Sequence, residues 1–138
     1  MKIKNTRTLL HLEIPGLPPT VNHTYRTGKN FRYKVKEVRD WQEKITLLMR
    51  NAKTSKEIYG LPVSLSIIIQ SGTKRRWDLD NRIKALQDCL AMAEIIKDDS
   101  QVWEIFVRRA LNEPESTWVH LTTLDNEKIS FKNKHSFK

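Results

Sequence analysis

Residues 61–70, LPVSLSIIIQ, limit the fold of this chain more than any other stretch. Val63, Ile67, Ile68 and Ile69 are β-branched and the run partly alternates, which predicts a strand. LLHLEI (9–14) alternates well enough for a first strand and is stopped by PGLPPT, where Pro18-Pro19 keeps the backbone extended and stiff. QVWEIFVRRAL (101–111) and TWVHLTTL (117–124) read as two more strands, joined through the turn-rich NEPES. Two helical periods separate these runs. Over 34–53, Val38, Trp41, Ile45 and Leu48 show the three-and-four spacing of one buried face. Over 79–93, Ile83, Leu86, Leu90 and Ala93 form a stripe with Cys89 at its edge, while Asp80, Lys84 and Asp88 fall on the opposite stripe. The order strand, helix, strand, helix, strand, strand predicts a small single domain of the α/β (α+β) class, with a mixed sheet and two principal helices.

That domain is expected to span 1–124, with 125–138, DNEKISFKNKHSFK, as a basic tail that either frays or contacts nucleic acid. The 25 Lys and Arg against 16 Asp and Glu give a net charge of +9, which suits a polyanionic partner, nucleic acid first. A merely solvated basic surface is the plainer alternative. The single cysteine, Cys89, excludes an internal disulfide and a cysteine-built zinc site. Histidines stand at 11, 23, 120 and 135, with no H-x-H or H-x₃-H spacing to suggest zinc. No glycine-rich loop supports ATP use. There is no membrane-length apolar run, and MKIKNTRTLLHLEIPG breaks too early for a signal peptide, so a cytoplasmic protein is expected.

Residues 74–84, KRRWDLDNRIK, set Asp78 and Asp80 among basic side chains at the start of the second helix. One aspartate there is explained by helix capping, but a cap does not require two. Asp98-Asp99 lie one short helix later. If 94–100 turns back to the helix start, three or four carboxylates converge, and such a cluster repels itself unless a cation occupies it. Oxygen-only ligation suits magnesium or manganese, which can activate water and polarise a phosphodiester. Lys84, one turn beyond Asp80, either serves that chemistry or makes an i,i+4 pair with Asp80 or Asp88.

Asp78-Leu79-Asp80-Asn81, Lys84, Asp88, Leu90 and Asp98-Asp99 resemble the signature of the RusA-type Holliday junction resolvases, small endonucleases often carried by phages and prophages. PPTVNHTY (18–25) is similar to that family's proline–asparagine–tyrosine motif, and the resemblance runs from about 10 to 123. It implies a homodimer on a mixed α/β fold that makes paired, magnesium-dependent cuts across a four-way DNA junction. By position it implies Asp78, Asp80 and Asp99 as the essential carboxylates and metal ligands, with Lys84 the essential lysine. Asp98 is either a supporting metal ligand or a turn residue, and Asp88 supports the helix. Two-fold symmetry of the junction makes a dimer with two equivalent sites sensible. A non-catalytic DNA-binding protein on the same fold, or a magnesium nuclease for other branched or duplex DNA, are the alternatives.

Lys74, Arg75 and Arg76 precede the aspartates where DNA phosphates must arrive, and phosphate contact is the favoured reading over a solvated loop. Arg82 fits a DNA contact or solvent equally. Asn22, Tyr25, Arg26 and Lys29 place amide, aromatic and positive groups on an expected DNA-binding loop, with Arg32, Tyr33 and Lys34 following. Trp41, Trp77, Trp103 and Trp118 are expected in the core or an interface, because each falls in or beside a periodic segment.

Overall fold

The computed structural model describes residues 6–20, 25–27 and 32–130. The elements are β1 (Thr8–Pro15), β2 (Tyr25–Thr27), β3 (Arg32–Lys34), α1 (Lys36–Ala52), β4 (Val63–Ser71), α2 (Lys84–Met92), β5 (Val102–Leu111), β6 (Ser116–Thr123) and the short α3 (Asn126–Ile129). Four strands form one mixed sheet in the order β1-β6-β4-β5. β4 and β5 are parallel, with α2 in their crossover, whereas β6 runs antiparallel to both β1 and β4. β2 and β3 make a separate two-stranded ribbon, pairing Tyr25 with Lys34 inside the stretch expected to be loop. The α+β class, the mixed sheet and the two main helices are as the sequence predicts.

β4 is central, and its Leu65, Ile67 and Ile69 are fully buried against the helices. From α1 the buried side chains are Val38, Gln42, Ile45, Thr46 and Met49, so Trp41 and Leu48 flank the contact rather than centre it. Gln42 sits in the core because its amide donates to the Ala85 carbonyl, which offsets desolvation of the side chain. α2 buries Ala85, Leu86, Cys89 and Leu90. Cys89 is thus inside the stripe, not at its edge, and its thiol approaches the Gln42 carbonyl. Burying Leu86 and Leu90 contributes about 1.5–3 kcal/mol each.

Two of the tryptophans expected in the core or an interface are exposed in the single chain, Trp103 by 58% and Trp118 by 37%. Trp103 lies on the edge strand β5, where the register against β4 skips it between Val102 and Glu104, and Trp118 lies on the outer face of β6. Beyond β6, Asp125 caps α3 by accepting from the Glu127 amide, and Lys128 pairs with Glu104 of β5. The first turn of the expected tail is therefore tied to the sheet, while 131–138 lie outside the described residues.

Candidate active site

After β4 the chain runs through Lys74, Arg75 and Arg76, all exposed, to Trp77 and the two aspartates. Two guanidiniums lie over the Trp77 ring, the Arg82 Cζ 4.6 Å and the Arg109 Cζ 4.3 Å from its centroid. Arg109 also donates to the Thr73 carbonyl at 2.7 Å, and Arg82 to the Pro18 carbonyl at 2.6 Å. The first contact ties the basic loop to β5, and the second ties the PPT segment to the turn before α2. Burial lowers the pKa of Arg82, opposed by the Glu115 charge and reinforced by Arg109. Arg82 is accordingly a packed side chain that links two loops.

Asp78 and Asp80 are exposed and flank Leu79. Neither acts as a helix cap. The 3₁₀ turn Asp80–Arg82 starts from Leu79, and α2 starts from Ile83, with no side-chain cap at either position. Asp78 instead accepts a long hydrogen bond from Asn81, at 3.4 Å. The capping explanation of the DLD pair fails on this geometry.

The second acidic pair returns because α2 ends abruptly. Glu94 takes a left-handed conformation (φ 59°), where glycine is usual, while the Ile95 amide bonds back to the Leu90 carbonyl. Ile96 then bridges Tyr59 in parallel. Gln101 locks the following turn: its amide donates to the Tyr59 and Leu61 carbonyls at 2.8 and 2.9 Å, and its oxygen accepts from the Lys97 and Asp98 amides. Asp98 completes a capping box with Gln101 and accepts from the Ser100 hydroxyl. That hydroxyl is the main cause of its lowered pKa. The turn-residue alternative for Asp98 therefore has a geometric basis.

The outcome is contact between the start of α2 and the turn preceding β5. Lys84 Nζ donates to Asp99 Oδ2 at 2.8 Å and lies 3.0 Å from Asp88 Oδ1. Its pKa is raised, first by the hydrogen bond to Asp99 and then by that to Asp88. The i,i+4 pairing is with Asp88 rather than Asp80. Exposed carboxylates without thiolate or imidazole beside them have the donor chemistry of a magnesium site. Yet among the described residues no three acidic, histidine or cysteine groups are close enough to hold an ion together. The expected convergence reaches Asp88 and Asp99 through Lys84, and does not extend to a ready cluster with Asp78, Asp80 and Asp98. An ammonium group between two carboxylates relieves the same repulsion that a metal would.

Asn22 and Lys29 lie outside the described residues, and for Tyr25 and Arg26 only the backbone pairing in the β2–β3 ribbon is described. Sequence reasoning missed Gln101, Arg109 and the fixed role of Arg82. Arg82 and Arg109 reach carbonyls distant in the chain with no local pattern to mark them, whereas Gln101 carries a local signal in the Asp98-x-x-Gln101 capping box and only its bonds to Tyr59 and Leu61 are distant. Among the described residues no helix is long and apolar enough to cross a membrane.

The family model described as "Endodeoxyribonuclease RusA" matches residues 15–121. The chain is 32% identical over 85 residues to the crossover junction endodeoxyribonuclease RusA of Shigella sonnei (strain Ss046), covering 62% of this chain and 70% of that protein. It is 31% identical over the same length, with the same coverage, to the proteins of that name from Escherichia coli strains K12 and UTI89.

Proposed function

Because the chain belongs to the RusA endodeoxyribonuclease family, we propose that it is a structure-selective endonuclease that resolves four-way DNA junctions by magnesium-dependent, paired phosphodiester hydrolysis. The observation that carries this reading is the Lys84–Asp99 contact, which joins the start of α2, three residues after the DLDN segment, to the returning acidic pair. Asp78, Asp80 and Asp99 would supply the ligands once drawn together around the ion, since they are not gathered among the described residues, and Asp98, which shapes the turn at Asp99, stands as an outer candidate. Magnesium, or manganese in its place, would activate water and polarise the phosphoryl group when bound. Lys84 keeps a positive charge beside Asp99, where it offsets negative charge on the transferring phosphate. Lys74, Arg75 and Arg76 present three cations directly upstream and would grip the phosphate backbone, giving salt-dependent affinity. Trp77, Arg82 and Arg109 hold that loop in place. Asn22, Tyr25, Arg26 and Lys29 belong to the same proposed DNA contact, since they follow the Pro18 segment closely in the sequence.

The domain proposed for this activity is 1–124, with 125–138 appended to it. A homodimer is part of the proposal, and β5 supports it. Among the described residues this strand pairs only with β4, and it exposes Trp103, Ile105, Phe106 and Leu111. Unpaired strand edges with apolar side chains are stabilised by a partner.

The test is cleavage of labelled four-way, flap and linear DNA side by side, with and without magnesium. Paired nicks confined to the junction are expected, and Asp78→Asn, Asp80→Asn and Asp99→Asn should each abolish them while junction binding persists. Parent-rate cutting by all three variants would remove the site assignment. Binding without cutting by the parent chain would instead favour a non-catalytic role.

A further inference from the structure

The outer face of the sheet carries an arrangement that the nuclease site does not use. Antiparallel pairing of β1 with β6 sets His11 directly opposite His120. Their Nδ1 atoms are 3.1 Å apart, and the rings meet edge-on at 79° with centroids separated by 5.1 Å. Trp118, on the same face of β6, has its ring 5.9 Å from that of His11. Leu10, Val119 and Leu121 point the other way into the core, so the ladder fixes the two histidine backbones rigidly.

A neutral imidazole pair at this distance shares one N–H, one ring donating and the other accepting. The same distance is what a first-row transition ion requires of two nitrogens. Bonds of about 2.0–2.1 Å meeting at about 90–109° put the nitrogens about 2.8–3.4 Å apart. Burial, and then the neighbouring His11, lower the pKa of His120, which favours the neutral form a metal needs. Imidazole nitrogen suits zinc, nickel or copper, and magnesium prefers oxygen. We propose that His11 and His120 form a bidentate site for a divalent transition ion of this class, with water completing the coordination. Pre-organisation by the strand ladder reduces the entropy lost on chelation.

Copper(II) is the probe for the test, added to the full chain in excess magnesium. The wild-type protein should bind one equivalent with hyperfine splitting from two nitrogens in its electron paramagnetic resonance spectrum, and with quenched tryptophan fluorescence. His11→Ala and His120→Ala should each weaken binding by about tenfold or more and leave at most one nitrogen. His11→Gln keeps a hydrogen-bonding side chain on the strand and should still lose the two-nitrogen signal. Trp118→Phe should retain binding and lose most of the quenching. Unchanged affinity and spectrum in both alanine variants, or no copper binding by the wild-type chain at submillimolar ion, would overturn the assignment.

Discussion

Replacing Lys84 with methionine removes the cation that joins Asp88 to Asp99 while keeping an unbranched apolar stem on α2. The three side chains are 45%, 19% and 38% exposed, so both ion pairs are screened and each is worth about 0.2–1 kcal/mol. Adding the repulsion then left between the two carboxylates, the expected loss of stability is about 1–2 kcal/mol. For a chain of 138 residues this lowers Tm by about 3–7 °C. The raised pKa means that Lys84 is charged in both folded and unfolded chains below about pH 10. Its contribution is therefore present throughout a neutral assay range and is lost only as pH climbs towards the folded value. Catalysis should suffer far more. If Lys84 offsets charge on the phosphoryl group, its loss costs about 10²–10³-fold in rate, or about 2.7–4 kcal/mol. Differential scanning fluorimetry and single-turnover cleavage of a labelled four-way junction, at enzyme concentrations that saturate binding, separate the two effects. A rate that falls only as far as the folded fraction falls would refute the catalytic role. A double-mutant cycle with Asp99→Asn should give a coupling of about 0.2–1 kcal/mol in stability, and a Tm collapse beyond about 10 °C would refute the screened-pair estimate.

Gln101→Ala deletes four hydrogen bonds at the turn that delivers Asp99. It should lower stability by about 1–3 kcal/mol in urea unfolding and slow junction cleavage, and wild-type rates in a folded variant would contradict the positioning role. His120 has a pKa lowered first by burial and then by His11, so the unfolded chain binds its proton more readily than the folded one. Its contribution to stability is present above the unfolded pKa of about 6.5 and is lost as pH falls through the lowered folded value. The urea midpoint should therefore rise from pH 5 to pH 7 more steeply for the wild type than for His120→Gln, and equal slopes would count against it.

Element identities were legible because their signals are local. Alternation in 61–70 and the three-and-four periods of the helices report which face each segment buries, whatever it packs against. The same signals cannot distinguish a central strand from an edge. Trp103 is therefore expected in the core or an interface, and it is exposed in this chain because β5, among the described residues, has a strand neighbour on one side only. Nor does a stripe fix its own centre: Cys89 and Gln42 are buried because α1 and α2 meet there, which is a property of their packing.

The candidate site divides along the same line. Its residue types and their spacing were written in DLDN, Lys84 and the paired aspartates, and the family resemblance follows from those letters alone. Which carboxylate Lys84 reaches depended on Glu94 reversing the chain and on Gln101 pinning the turn to 59 and 61. His11 and His120 show this most plainly. They are 109 residues apart, and no spacing rule relates them. Strand pairing brings them within hydrogen-bonding distance, because a ladder juxtaposes residues by register rather than by separation along the chain.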